Sequence, residues 1–166
     1  DVYKRQIRSW TELKNNGEED LGVEYVSSFA LLGIDKEGLL STDEKLEVLI
    51  ARNAWQKELI WNRFSMDQLG MSISQPDKVR RSSQTISVGN TGNWSTKNYL
   101  PMGCLKNKET DSILFWQIEQ NGSWYWEISD QDGHMYLQLS GPTEHQSHWW
   151  KNLKPGDTFA SVPVSV

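Results

Sequence analysis

Apolar residues alternate with polar ones along much of this chain, and a period of two is typical of β-strands. Leu46 and Val48 alternate with the charged residues Lys45 and Glu47, and Ile50 continues the same period, which predicts a half-buried strand over 45–51. The run over 158–166 alternates in the same way with small residues. Further strands are predicted over 7–13, 21–25, 26–34 and 135–139.

The densest apolar pattern lies over 114–129, on both sides of the dipeptide Asn121-Gly122. That dipeptide favours a two-residue type I′ turn, so the two flanking runs are predicted to pair as a hairpin. In this register Gln117 lies opposite Trp126, and Trp116 lies on the other face from Trp126. Because both faces are apolar and aromatic, we expect both to be covered by other parts of the protein. The pattern predicts an all-β structure with this hairpin at its centre.

Other stretches are less regular. The segment 53–64 fits a loose helical spacing and a strand equally well. The polar segment 65–83 is predicted to be a long connection, and 99–105 an edge segment because it contains Pro101. Residues 1–6 show no apolar periodicity that continues into the following segment. They are therefore expected to be a tail that is not native to the fold.

Composition and charge narrow the class of protein, its partners and its compartment. The 166 residues, of which 37% are hydrophobic, suffice for one domain with a core, and nine tryptophans are the one departure from ordinary usage. A net charge of −5 argues against nucleic acid as a partner. No apolar run is long enough for a membrane helix. The single cysteine, Cys104, suits a reducing compartment, and we expect a cytoplasmic protein.

Three carboxylates, Glu58, Glu119 and Glu127, lie near tryptophans in the sequence, a pattern that glycosidases and sugar-binding proteins share. The alternative is that each accepts hydrogen bonds from backbone or indole N–H groups inside a packed β structure. His145 and His148 have a spacing that metal ligands use, but no further histidine or cysteine lies nearby in the sequence to complete a set. The sequence therefore predicts no metal and no cofactor, and it contains no nucleotide-binding or nucleophile motif.

Several longer stretches resemble one family. WQIEQNGSWYWEISD (116–130) is similar to the most recognisable stretch in the amino-terminal domain of family 36 α-galactosidases. The similarity continues in AWQKELIW (54–61), in GNWSTKNYLPMG (92–103) and through 139–166. It therefore covers nearly the whole chain from about Ile7 onward.

The resemblance implies a β-supersandwich of the galactose mutarotase type. In those enzymes this domain precedes a (β/α)₈ barrel, which hydrolyses terminal α-linked galactose from melibiose, raffinose or stachyose with retention. Both catalytic aspartates belong to that barrel, and no aspartate here lies in a matching motif. We therefore expect no catalytic residue in this chain, and we expect 7–166 to be the C-terminal part of an incomplete N-terminal domain, without the barrel.

The role that the resemblance implies is to brace the downstream barrel and support a homo-oligomer, with an α-galactoside as substrate of the whole enzyme. One alternative is a carbohydrate-binding module with exposed tryptophans as stacking platforms; another is the same domain in an α-N-acetylgalactosaminidase. The residues expected to have a structural or sugar-contacting role are Trp55, Glu58, Trp94, Trp116, Glu119, Trp124, Trp126, Glu127, Trp149 and Trp150.

Overall fold

The fold is known from a computed structural model, which describes residues 6–71, 84–131 and 133–166. The strands are β1 Arg8–Ser9, β2 Glu12–Lys14, β3 Leu21–Val23, β4 Ser27–Leu32, β5 Leu46–Ala54, β6 Lys57–Ser65, β7 Ile86–Asn90, β8 Tyr99–Asn107, β9 Ser112–Ile118, β10 Trp124–Gln131, β11 His134–Ser140, β12 Lys151–Leu153, β13 Thr158–Ala160 and β14 Val164–Ser165. The helices are α1 Thr42–Lys45, α2 Glu144–Ser147 and a 3₁₀ turn at Asp67–Leu69.

Two antiparallel sheets form the body of the molecule, which confirms the predicted all-β class. The larger sheet has the strand order β1-β14-β9-β8-β5-β6, and the smaller sheet has the order β4-β11-β10-β7. Two further pairs, β12 with β3 and β13 with β2, connect early and late parts of the chain. The first and last described parts of the chain also meet, because the Ile7 and Val166 backbones exchange hydrogen bonds of 2.7 and 2.8 Å.

The core lies between the two sheets. In β5 the alternating residues Leu46, Val48 and Ile50 are buried, as their spacing predicts. They belong to one apolar cluster with Trp126 and Leu139, which the smaller sheet contributes. Each sheet therefore has one face in the core and one face turned outward.

The central hairpin prediction is wrong, because β9 and β10 lie in different sheets. Gln117 pairs with Met102 and Ser165, whereas Trp126 pairs with Val88 and Leu139. Residues 119–123 cross from the larger sheet to the smaller one, and neither Asn121 nor Gly122 has the positive φ of a type I′ turn. Each strand lies between two other strands of its own sheet, and this tertiary pairing overrides the local turn preference of the dipeptide.

The crossing also reverses the predicted relation between two tryptophans. Trp116 and Trp126 were expected on opposite faces of one hairpin, but both point into the core and are fully buried. Their ring centroids are 5.1 Å apart at an interplanar angle of 77°, an edge-to-face contact between the sheets. The expectation that both faces are covered also fails, since Phe115 on the outer face of β9 is 41% exposed.

Strand β8 is central rather than at an edge, since it pairs with both β5 and β9. Pro101 is tolerated there because it lies where the pairing with β5 shifts, between Ile50 and Arg52, and before the ladder with β9 begins at Met102. The predicted edge position of 99–105 is therefore wrong.

Several other boundaries also differ from prediction. The ambiguous segment 53–64 contains β6, so its helical interpretation is wrong. The single strands predicted over 7–13 and 158–166 are each divided in two, and the resulting halves pair with one another as β1 with β14 and β2 with β13. Residues 1–5 of the predicted tail and 72–83 of the predicted connection lie outside the described residues.

Gly103 is required where β8 passes beneath the buried indole of Trp116. A Cβ atom at this position would lie 2.4 Å from Cζ2 of Trp116. We predict that Gly103→Ala lowers the free energy of unfolding by about 1–3 kcal/mol, because the packed ring must shift. Gly122→Ala is the matched control, since the nearest atom to its Cβ would be Gly92 O at 3.6 Å. Urea unfolding of both variants checks this, and equal stabilities would contradict the packing described.

Removing one ring of the tryptophan pair should destabilise both sheets. We predict that Trp126→Ala lowers the free energy of unfolding by about 3–5 kcal/mol, the range for a large aromatic side chain deleted from a core. Trp150→Ala serves as control because Trp150 is 66% exposed, and it should change stability by about 0.5 kcal/mol or less. Thermal unfolding followed by circular dichroism measures both; similar losses in the two variants would refute the core position of Trp126.

Candidate functional site

The predicted tryptophans fall into a buried and an exposed group. Trp116, Trp124 and Trp126 are buried, and Trp124 also donates its indole N–H to Ser95 O at 2.7 Å. These three rings cannot stack on a ligand from solvent. The exposed rings are those of Trp55, Trp94 and Trp150, and Trp149 is half-buried against Phe159.

The three predicted carboxylates are not brought together, since each lies on a different element. Glu58 on β6 accepts a hydrogen bond from the Gln56 backbone N–H at 3.1 Å. Glu119 follows β9 and accepts from Arg8 at 2.7 Å and from the Ser165 hydroxyl at 2.9 Å. The hydrogen bond from Arg8 lowers the pKa of Glu119, which therefore ties the two ends of the described chain together as an anion.

Strand β6 presents an exposed apolar surface at the edge of the larger sheet. Trp55 at the turn before β6 is 87% exposed, and Leu59, Ile60 and Trp61 along the strand are also exposed. We call these four residues the edge-strand surface. Within the described residues β6 pairs only with β5, so its outer edge also carries unpaired backbone groups. Exposed apolar side chains beside an unpaired strand edge are features that protein contact sites often have.

A cavity of about 550 Å³ adjoins the edge-strand surface, with which it shares Ile60. The guanidinium of Arg52 lies 5.2 Å from the centroid of the Tyr99 ring at this cavity. Asn62 and Asn98 add amide groups to its lining. The edge of the larger sheet therefore offers apolar contacts and hydrogen-bond donors side by side.

A second cavity, of about 310 Å³, lies on the outer face of the smaller sheet. We call it the tyrosine groove, and it is lined by Tyr25, Tyr125, Glu127, Gln138, Glu144 and His145, among others. The Glu127 carboxylate accepts hydrogen bonds from the hydroxyls of Tyr125 at 2.6 Å and Tyr136 at 2.8 Å. Glu127 therefore accepts hydrogen bonds from tyrosine hydroxyls, rather than from the backbone or indole N–H groups expected from the sequence.

Glu127 was predicted from the sequence as a candidate residue, but its tyrosine hydrogen-bond partners were not. The signal was present in the alternation of WYWEIS and MYLQL, which places Tyr125 and Glu127 on one face of β10 and Tyr136 and Gln138 on one face of β11. The wrong hairpin register concealed it, because it paired β10 with β9 instead of β11.

Among the described residues, the predicted histidines and Cys104 are not arranged as a metal site or as an activated nucleophile. His145 and His148 are exposed, and no group of three His, Cys, Asp or Glu side chains in the described part of the chain is arranged to hold a metal. Burial raises the pKa of the Cys104 thiol to about 11, so the unreactive protonated form dominates at neutral pH.

Across residues 6–71, 84–131 and 133–166 we find no helix long and apolar enough to span a membrane.

Burial, with a smaller contribution from the charge of Glu127, raises the pKa of Tyr25 to about 12 from its ordinary value of 10.0. The folded state thus favours the neutral phenol, and the unfolded chain loses this proton first. The contribution of Tyr25 to stability is therefore fully present below about pH 10 and is lost as pH rises from about 10 to about 12.

We predict that Tyr25→Phe reduces the loss of stability over that interval. The pKa values of Tyr125 and Tyr136 stay raised in the variant by burial and by Glu127, and Tyr25 is only the smallest contributor to the shift of Tyr125, so the difference between the two proteins reports mainly on Tyr25. Urea unfolding midpoints measured across the interval check this, and parallel pH profiles for the wild type and the variant would contradict it.

Comparison with known proteins gives matches in structure only. No protein-family model and no curated protein sequence matches the chain. Among solved structures, the α-galactosidase from Lactobacillus brevis superimposes with a TM-score of 0.72 at 14% identity, covering 98% of this chain. The family 36 α-galactosidase AgaA from Geobacillus stearothermophilus, in complex with stachyose, gives 0.73 at 16% identity and 96% coverage.

The galactosidase domain of the α-galactosidase–sucrose kinase AgaSK gives a TM-score of 0.72 at 19% identity over 96% of this chain. In all three cases the chain spans about a fifth of the solved protein, 19% of its length. At these identities the likeness shows a shared fold, and it confirms the predicted architectural resemblance to family 36 α-galactosidases.

Proposed function

We propose that this chain is a non-catalytic N-terminal β-domain segment of an α-galactosidase and that it braces a downstream (β/α)₈ barrel. The observation that carries this proposal is the asymmetry of the structural match. Nearly the whole chain superimposes on α-galactosidases, yet it accounts for 19% of their length. The reaction then belongs to the remaining part of such an enzyme.

The edge-strand surface is the part of this chain best suited to contact that remainder. It combines exposed apolar side chains with the free edge of β6, and Trp55 projects most of its ring into solvent. Rigid aromatic side chains of this kind dominate the energy of many interfaces. The barrel, or another subunit of a homo-oligomer, would cover this surface in the whole protein.

The arrangement of carboxylates supports a non-catalytic role. A retaining glycosidase needs two carboxyl groups about 5–5.5 Å apart. Glu58, Glu119 and Glu127 instead lie on separate elements, and the last two are engaged by Arg8 and by tyrosine hydroxyls respectively. Those contacts fit structural carboxylates.

For the whole protein we propose retaining hydrolysis of terminal α-linked galactose in the cytoplasm. One solved protein of the same fold, the family 36 α-galactosidase AgaA, has been solved as variants in complex with stachyose and with raffinose. An α-N-acetylgalactosaminidase built on the same domain is the second candidate within this enzyme class. A carbohydrate-binding module is the candidate from another class, and the exposure of Trp55, Trp94 and Trp150 is the observation that favours it.

Activity assays separate these candidates. The purified 166-residue chain should release no nitrophenol from the nitrophenyl α-galactoside, whereas the full reading frame that encodes it should release it readily. Preference of the full protein for the α-N-acetylgalactosaminide would change the assigned substrate. Turnover by the 166-residue chain itself, following the protein through purification, would refute the non-catalytic role.

Bracing makes a separate prediction for the edge-strand surface. In the full-length protein Trp55→Ala should lower the melting temperature and the soluble yield, with little change in KM, because the ring is buried at the contact. In the isolated 166-residue chain the same variant should leave the melting temperature unchanged. Trp150→Ala is the matched exposed control. An unchanged melting temperature in the full-length variant, with loss of sugar binding, would favour the binding module instead.

A further inference from the structure

The tyrosine groove is built on two paired strands whose inner faces form the core. Glu127 on β10 lies directly opposite Gln138 on β11, and both side chains line the groove. Leu137 and Leu139 on either side of Gln138 are fully buried, which fixes the strand beneath the groove. The floor of the groove is therefore rigid and polar.

Two other elements form the walls. The Glu144 backbone N–H donates to Glu24 O at 2.9 Å, which joins the start of α2 to the segment that carries Tyr25. Thr143 caps α2 by accepting a hydrogen bond from the Gln146 N–H at 3.1 Å. The walls are thus held by a backbone hydrogen bond between the two elements and by the cap that the Thr143 hydroxyl supplies to α2.

The polar groups of the groove are organised before any ligand arrives. Tyr125, which lines the groove, and Tyr136, which does not, both donate their hydroxyl protons to Glu127, and this leaves the Tyr125 oxygen free to accept from a ligand. Each Glu127 oxygen retains a further acceptor position, and the Gln138 amide supplies both donors and an acceptor. The groove therefore presents donors and acceptors beside the rings of Tyr25 and Tyr125.

This combination matches a neutral sugar better than an organic cation. A sugar hydroxyl both donates and accepts, and the C–H face of a pyranose ring packs against an aromatic ring. The carboxylates of Glu24, Glu127 and Glu144 would attract a quaternary ammonium ion, but that ion neither donates nor accepts hydrogen bonds and would leave the Gln138 amide and the Tyr125 oxygen without a partner. The volume of about 310 Å³ is within the range of small-molecule sites.

We propose that the tyrosine groove is a binding site for a pyranose sugar, with Glu127 and Gln138 bonding its hydroxyls and Tyr25 packing against its ring. This site goes beyond the proposed bracing role. It lies on the smaller sheet, whereas the edge-strand surface lies on the larger one. The chain would then hold a sugar on the outer face of its smaller sheet.

Titration of the ¹⁵N-labelled 166-residue chain tests the proposal. Galactose and raffinose should produce saturable shifts in the amide signals of Glu127, Gln138 and Glu144. Glu127→Gln should weaken binding by about tenfold or more, because a charged acceptor of hydrogen bonds is lost. Tyr25→Phe removes only a hydroxyl, so it should weaken binding less.

The matched control substitutions are at the edge of the larger sheet, away from the groove. Glu58→Gln and Trp55→Ala should bind both sugars as the wild type does, since neither residue lines the groove. Melting curves establish that each variant is folded, and Gln138→Ala replaces Glu127→Gln if the latter is not. Absence of saturable shifts, shifts confined to residues around Trp55, or saturation by tetramethylammonium in place of sugar would each overturn the proposal. None of these results would alter the outcome of the full-length Trp55→Ala melting experiment, which tests the bracing role.

Discussion

The contact between Trp116 and Trp126 is the interaction on which the rest of the fold depends. The two indoles come from different sheets and meet edge to face with centroids 5.1 Å apart. Neither indole nitrogen has a hydrogen-bond partner among the described residues, so the contact relies on ring packing and burial. Gly103 is part of the same arrangement, because only a residue without a Cβ lets β8 pass under the Trp116 ring.

This packing decides which side chains are available for function. Since one face of β10 is committed to the core, its alternate residues Tyr125 and Glu127 are placed on the outer face and form the groove with β11. On the larger sheet, Phe115 alternates with buried positions of β9 and is likewise exposed, as are several residues of β6. The buried tryptophans hold the sheets together. The side chains that remain available to contact a ligand or a partner are their exposed neighbours in sequence.

The sequence allowed the fold class and most strand positions to be predicted, because a period of two in apolar residues reports local strand geometry. It did not allow the pairing to be predicted. Asn121-Gly122 favours a tight turn locally, but Gln117 and Trp126 each find two partners in separate sheets. Glu127 was identified from its neighbourhood of tryptophans, whereas its real partners, Tyr125 and Tyr136, depend on the pairing of β10 with β11. Partners distant in sequence leave no local signal.

The most direct test of this account is the measurement of nuclear Overhauser effects in the chain with ¹³C-labelled tryptophan. The account predicts contacts between the ring protons of Trp116 and Trp126, together with backbone contacts across the pair Trp126 and Leu139. Backbone contacts between Gln117 and Trp126, with no contact between the two indole rings, would restore the local hairpin and contradict the two-sheet crossing.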